Sequence, residues 1–510
     1  MSREDDTPKQ SNRRQFLTTT AATVTAAATG ATASVGLSES AAARSDYDTV
    51  IDVTDAGADP TGEESITPVL DRLCNNGSVD TLLRFPPGTY AMDRMFRLIS
   101  YDNVGFVGHD ATIVPTDDFD YSEPWLFRLG VLADPGRDLL FEGFTFDFTA
   151  PDTGLRAVEA QVTDGLLVRD VDVVGAHDRG TLGPAMFNVI DSDGWGSVEG
   201  FRAPDGGAYS KNVEGDIEVG PTGVLVSPYQ KGTLRLRDLE IGPFPDNGLY
   251  ADAPEGRVLV EGGRYWNSNV ANVRVSGDGS SVRGTRIEVT DNRPDDVNQR
   301  GLRLDEGSDL RVENVGIELT APNGYALSVQ DEVESARIED VNIAIENGAN
   351  SAMVVAPRAN RVTVRDSEIH LDGGGYALAV FGDSPGPVVA SDLSIYGWAT
   401  GVQGRPAVLC HRDDCEFHDL GVYQPGGDRR ALDVHGDDCL VSGGTYMASN
   451  YPLYNTGSRT RYEGITADSW NDYPALYLLD GANVAVENCT LLDGTRTGGG
   501  NFAIRSGNST

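Results

Sequence analysis

A chain of 510 residues, 39% of them hydrophobic, can bury a large core, and nothing in its composition marks it as disordered throughout. Acidic residues outnumber basic ones 78 to 40, for a net charge of −38, and only three of the 40 are lysines (Lys9, Lys211 and Lys231). That balance predicts an acidic, halophile-type protein for salt of about 1 M, where the Debye length is about 3 Å, and it argues against nucleic acid and anionic membrane as partners.

At the N-terminus, Arg13 and Arg14 within the stretch Ser11 to Leu17 resemble a twin-arginine export signature, and an Ala/Thr-rich apolar stretch follows to about Leu37. Residues 1–45 therefore read as an export segment removed near Ala41 to Ala43, with an uncleaved anchor as the alternative. No lipobox cysteine follows, and no later window holds the ~20 apolar residues of a membrane span. The expectation is a protein released outside the cell or loosely associated with its surface, with residues 46–510 forming one domain.

The next elements are a turn-rich run from Asp55 through Gly57, Asp59 and Gly62, a helix-like stretch from Ile66 to Cys74, and the run Phe85, Pro86, Pro87, Gly88, Thr89, Tyr90. Together they resemble the opening of the pectate lyase superfamily, which includes polygalacturonases. The resemblance implies an all-β, right-handed parallel β-helix with three-strand rungs and a short N-terminal capping helix, acting on polysaccharide, with cap and first rungs over 46–130. This fold hosts lyases, hydrolases, epimerases and adhesins, so activity has to be sought in the site.

Further along, Leu139 to Phe146 and Leu166 to Val173 are weak copies of a pattern that becomes regular from Leu234 onward. Between them, 175–232 is rich in Gly, Asp and aromatics and reads as a long loop excursion covering one wall. In the regular part, alternating apolar strands meet at a turn residue: Asp238, Gly262, Gly284, Asn314, Asp340, Asp366, Asp392, Asp419, Gly443, Gly464 and Asn488, at spacings of 21 to 30. A period of this length with alternating strands marks a solenoid, because each unit can bury its apolar face only against its neighbours. The rung at Asp366 shows three strands, around Val362 and Val364, Ile369 and Leu371, and Leu378 and Val380.

Equivalent residues of successive rungs stack about 4.8 Å apart, so outward positions form columns. On the first strand the column Arg237, Glu261, Arg283, Glu313, Glu339, Arg365 is mixed in charge and reads as solvated wall. On the third strand it runs Tyr250, Arg274, Arg303, Ser328, Val354, Ala379, Gln403, Asp433, Tyr454, Tyr477, with Asp252, Asp305 and His435 among the positions two residues further on. Arg274 over Arg303 needs a counter-charge, from Asp252, Asp305 or an anionic ligand. The turns leading into these strands add Asp246, Asn247, Asn267, Asn269 and Asn272 as candidate substrate-binding groups, and the resemblance places the substrate cleft of the superfamily at Asn247, Gly248 and Leu249. The hydrolytic aspartates and Gly-His-Gly of polygalacturonases are absent, this chain having Asn247, Asn272 and Arg300-Gly301 there.

Inverting hydrolysis needs carboxyls about 6.5–9.5 Å apart, and Asp252 with Asp305 lie roughly 10 Å apart by rung spacing. Elimination on a uronate needs a cation for the sugar carboxylate, a base and an acid. Arg274 and Arg303 suit the first role, and Tyr250 or Lys231 the others, Lys231 having been kept where arginine is the rule. A second pattern, His411 to Cys415 and His435 to Cys439, stacks Asp413 and Asp414 with Asp437 and Asp438, a candidate Ca²⁺ site; zinc fits poorly, since alternation points Cys415 inward and His418 outward. Cys415 and Cys439 should lie on adjacent rungs with Cα atoms about 5 Å apart, within disulfide range. The sequence thus reads as an extracellular protein acting on acidic polysaccharide, first as a uronate lyase, with a glycoside hydrolase or a non-catalytic carbohydrate-binding surface protein of the same fold as alternatives.

Overall fold

Between the first and second walls of the coil the chain turns at a residue in the left-handed region of backbone space, followed at two corners by a second glycine there, Gly263 and Gly444. The computed structural model describes residues 46–510 apart from 75–77, 180–181, 210–219, 383–385, 403, 472, 493–502 and 508–510. The export segment 1–45 lies outside the described residues. From Asp238 to Asn488 the eleven predicted turn residues all have φ between +49° and +69°. Only Gly, and to a lesser degree Asn and Asp, adopts this conformation at small cost, which is why those types recur. The corners of earlier rungs obey the same rule, with Asp110 at +51°, Gly143 at +78°, Asp170 at +50° and Gly200 at +62°.

The result is an all-β, right-handed parallel β-helix of about 16 turns. The first and second walls form one 26-stranded sheet folded at those corners, and the third wall is a separate 16-stranded sheet running from Phe96–Leu98 to Ile504–Gly507. Every pairing between named strands is parallel, for example Val362 with Val388 on the first wall, Ile369 with Ile395 on the second and Leu378 with Val408 on the third. Inward residues of all three walls fill one continuous core, as Val362, Val364, Ile369, Leu371, Leu378 and Val380 show for a single rung, each fully buried. The only helix among the described residues, Thr67–Leu73, starts with a proline in its first turn and sends Val69 and Leu70 into the core of the first rungs.

Two expectations need correction. The segment 175–232 is not one excursion: Ala185–Val189 and Val224–Val226 are third-wall strands, and Trp195–Ala203 supplies a strand pair with its corner at Gly200. In the third-wall column, Gln403 lies outside the described residues and is not the register position; Pro406–Cys410 is the strand, and Leu409 pairs with Ala379 on one side and Asp433 on the other.

The first-wall column keeps the expected register and is held by ion pairs between rungs. Arg237 reaches Glu261 at 3.4 Å, Arg283 reaches Glu313 at 3.3 Å, and Arg365 reaches Glu339 at 2.6 Å. Cys415 and Cys439 occupy equivalent places on adjacent rungs, Leu440 N donating to Cys415 O, and both are buried free thiols, as is Cys410.

Candidate functional site

The strands Asn247–Ala251, Ala271–Val275 and Arg300–Gly307 are successive rungs of the third wall. Leu249, Val273 and Leu302 point into the core, so alternation turns Tyr250, Arg274 and Arg303 outward, and their backbones are in direct register. The Arg274 guanidinium lies over the Tyr250 ring, 4.1 Å from its centroid. Stacking of this kind favours arginine over lysine, because the planar cation can face the ring and still donate at its edge.

Asp305 supplies the counter-charge for both arginines. Arg274 Nε donates to its Oδ2 at 2.9 Å, with Nη2 on the same oxygen, and Arg303 Nε donates to its Oδ1 at 2.6 Å. All three side chains are about one-fifth exposed (18–20%). Asp252 instead accepts from the Tyr250 hydroxyl at 3.2 Å. Burial, and then Asp252, pushes the Tyr250 phenol up to about 12 despite the nearby Arg274, so it keeps its proton over the whole neutral range.

Two further groups complete the cluster: Arg300, which the sequence places at the expected cleft only as a departure from the superfamily, and Glu306, of which it gives little sign. Burial, with Arg303 and Arg274 as neighbours, lowers the Arg300 guanidinium from its ordinary value. The Glu306 carboxyl is held above the usual carboxylate range by burial and then by Asp252, Asp305 and Glu332. The site therefore sets Arg274, Arg300 and Arg303 against Asp252, Asp305 and Glu306, formally three charges of each sign. Glu306 lies one residue past the position at which the alternation of its strand was followed, where the pairing shifts register between Leu304 and Glu306.

Of the amide groups expected to bind substrate, Asn267, Asn269 and Asn272 are engaged in the turns. Asn272 is fully buried, accepting from Ser268 N at 3.0 Å and donating to Arg300 O at 3.0 Å. Asn269 accepts from Val297 N at 2.9 Å, Asn267 accepts from Thr290 N at 2.7 Å with a positive φ of its own, and Asn247 is 1% exposed. Asp246 accepts from the Thr222 hydroxyl. These bonds, with Tyr209 on Asp296 and Arg293 on the carbonyls of Gly207, Pro243 and Phe244, tie the turns before four successive third-wall strands into a border along one edge of the cluster.

Lys231 is half-exposed and its ammonium pairs with Glu255 at 3.2 Å, the surroundings of a surface lysine rather than of a dehydrated base. The candidate Ca²⁺ ligands are also otherwise engaged. Asp413 Oδ1 accepts from Asp437 N at 2.7 Å, Asp437 Oδ1 accepts from Ser458 N at 2.8 Å, and Arg459 pairs with Asp437 at 3.2 Å and Asp438 at 2.6 Å, while Asp414 and Asp438 sit at positive φ as turn residues. The carboxylates are thus spread over successive turns and neutralised by an arginine, and no group of His, Cys, Asp or Glu that could hold a metal ion occurs among the described residues.

No family model matches the chain, and no curated protein sequence does. Solved structures of similar course include PfbA, a surface adhesin of Streptococcus pneumoniae (10% identity, 87% of this chain and 93% of that one, TM-score 0.36). A tailspike protein of E. coli bacteriophage HK620 (12%, 90% and 80%, TM-score 0.38) and the catalytic unit of a GH87 alpha-1,3-glucanase from Streptomyces thermodiastaticus (13%, 89% and 71%, TM-score 0.28) are others. At these scores the likenesses decide nothing about chemistry. The coil rests on its own strand register, and no helix among the described residues is long and apolar enough to cross a membrane.

Proposed function

We propose that this chain is an extracellular, twin-arginine-exported protein that acts on uronate-containing polysaccharide by β-elimination at the Tyr250 cluster, and that it belongs with the pectate lyase superfamily. The observation that carries the reading is the alignment of Tyr250, Arg274 and Arg303 on three consecutive rungs, side chains outward, with a phenol that keeps its proton next to two guanidiniums sharing one carboxylate. The cluster is formally balanced in charge, but Arg274 and Arg303 share the one Asp305 carboxylate, and a sugar carboxylate can bind a guanidinium through paired hydrogen bonds. In the reaction, the carbon bearing that carboxylate loses its proton to a base, the bond to the glycosidic oxygen breaks, a carbon–carbon double bond forms, and the departing oxygen takes a proton. Tyr250 is the proton donor, and Glu306, whose carboxyl is raised, is the base in place of Lys231.

The test is incubation with pectate, alginate and other uronate polymers at about 1 M salt while following absorbance of the unsaturated product. Growth of that absorbance in the native chain and its loss in Tyr250→Phe supports elimination. New reducing ends without absorbance would point to hydrolysis by the Asp252, Asp305 and Glu306 carboxyls. A second reading, a non-catalytic carbohydrate-binding surface protein, is favoured by Asp305 already bridging both arginines, and it prevails if neither product forms.

A further inference from the structure

Beyond Arg303 the third-wall column passes through Ser328, Val354, Ala379 and Leu409, small or apolar side chains that are buried although they sit on the outward face. It then changes character. Asp433, Tyr454, Tyr477 and Arg505 follow in register, the first of them five rungs and so roughly 24 Å from Arg303. Tyr451, from the turn before Tyr454, lies 4.9 Å from the Tyr477 ring and 5.1 Å from Tyr473, and Tyr454 lies 5.6 Å from Tyr477. On the turn before the Leu409 strand, Trp398 is 64% exposed. None of these rings is needed for the core, which the inward residues of the same rungs already fill. Trp398 and Tyr473 are exposed and Tyr451, Tyr454 and Tyr477 are part-buried, and leaving aromatic surface at the solvent costs free energy that the small residues of the neighbouring rungs avoid.

Polar groups are set among the rings. Arg430 lies over Tyr454, 4.2 Å from the centroid, and donates to Asp433 Oδ2 at 2.9 Å. Asp433 is 3% exposed, and its Oδ1 has no hydrogen-bond partner among the described residues. A buried carboxyl oxygen without a donor or acceptor is costly unless something outside the chain completes it. His435 stacks on His411 at 4.5 Å and is held neutral by burial. The cations of this face are turned onto its rings, Arg430 over Tyr454 and Arg505 over Tyr477 at 5.2 Å, and Arg430 is also paired with Asp433, so aromatic surface rather than free charge dominates what a ligand meets. A ligand that fits has a flat apolar face for a ring and a rim of hydroxyls for Arg430 and Asp433, and a neutral pyranose has both.

We propose that the Trp398, Arg430, Asp433, Tyr454 and Tyr477 face is a second carbohydrate site, separate from the Tyr250 cluster, that binds neutral pyranose rings of a polysaccharide. It goes beyond the uronate reading, since it takes the opposite class of sugar and needs no reaction. The experiment is titration of the full mature chain, at about 1 M salt, with soluble β-1,4-glucan, β-1,3-glucan, α-glucan and galactomannan. At least one is bound, and Tyr454→Ala with Tyr477→Ala weakens that binding about tenfold, whereas Arg274→Ala leaves it unchanged. Should the double variant lose its circular dichroism, Trp398→Ala, at an exposed turn, takes its place and lowers the affinity in the same direction. Binding of no neutral glycan, or equal affinity in the folded variants, overturns the proposal. Formation of unsaturated uronate product is read separately, so failure of the lyase reading leaves this result intact and the converse also holds.

Discussion

The first and third walls are built by the same repeat, yet their outward columns settle charge in different ways. On the first wall Arg237, Arg283 and Arg365, each 40–44% exposed, find a glutamate on a neighbouring rung, and Glu261 serves Arg235 at 3.5 Å as well as Arg237. On the third wall Arg274 and Arg303 share Asp305 at about one-fifth exposure, while Tyr250 and Asp252 pair with each other. First-wall pairs this exposed are well screened by water. What distinguishes the candidate site is not the sharing, which Glu261 also shows, but its deeper burial and the stacking of Arg274 on the Tyr250 ring.

The largest expected effect concerns the whole coil. Lowering salt from about 1 M toward 0.1 M lengthens the Debye length from about 3 to about 10 Å, which strengthens the first-wall pairs but also unscreens the net charge of −38. Repulsion summed over the surface outweighs pairs that contribute ~0–1 kcal/mol each, so the chain should lose its β-sheet circular dichroism. Unchanged spectra across that range would mean that the ladders, not the salt, carry the surface.

Next in size is a pH effect that belongs to the third wall alone. Burial pushes the Asp433 carboxyl up to about 7 in spite of Arg430. Between about pH 4, where the unfolded chain releases this proton, and about pH 7, the folded state binds more protons at this site, so its contribution to stability falls by about 1.4 kcal/mol per pH unit as pH rises. His435, lowered to about 4, works in the opposite direction below its unfolded value. The quantity to measure is therefore the difference in denaturation free energy between the native chain and Asp433→Asn. It should shift in favour of the variant as pH rises across that window and level off above it; a flat difference would return this carboxyl to the ordinary range.

Asp305→Ala compared with Glu261→Ala tests the contrast between walls directly. Removing Asp305 leaves two partly buried guanidiniums one strand spacing apart with no shared anion, a loss of about 2 kcal/mol after allowing for their residual exposure. Removing Glu261 from the half-exposed ladder should cost ~0–1 kcal/mol. Equal losses in urea denaturation would show that Asp305 is one more ladder member.

Much of this was legible in the sequence because the coil imposes one special backbone position per rung. Only Gly, Asn and Asp fill it readily, so the corners from Asp238 to Asn488 could be located by residue type, and period-two alternation then carried the register to Tyr250, Arg274 and Arg303. Reading failed where glycines sit inside strands. Gly196 lies in the strand Trp195–Ala203, where an added Cβ would stand 2.9 Å from the Leu166 Cβ, so it serves close packing and looks like loop only by composition. At Gln403 the apolar turn residues Trp398, Ala399 and Val402 imitate a strand while Pro406 opens the real one. The partners of polar side chains were beyond pattern altogether: Asn269 and Asn272 look like ligand groups until the turn amides and carbonyls that they satisfy are seen.

The smallest of these effects is also the most specific. If the Arg274 guanidinium is what a uronate recognises, Arg274→Ala should weaken binding of an acidic oligosaccharide about tenfold, the equivalent of one charge-assisted hydrogen bond, and leave a neutral one nearly unchanged. The variant also frees Asp305 to pair with Arg303 alone, so the loss is of net charge rather than of a structural link, and thermal unfolding should move little. Lys231→Arg, which keeps the charge beside Glu255, should alter neither binding nor product formation. Equal loss for acidic and neutral sugars after Arg274→Ala would mean that the ring-stacked guanidinium shapes the floor of the site rather than choosing the ligand. The third wall would then bind glycan by surface complementarity along its length, and the contrast with the first wall would rest on its aromatic rings instead of its arginines.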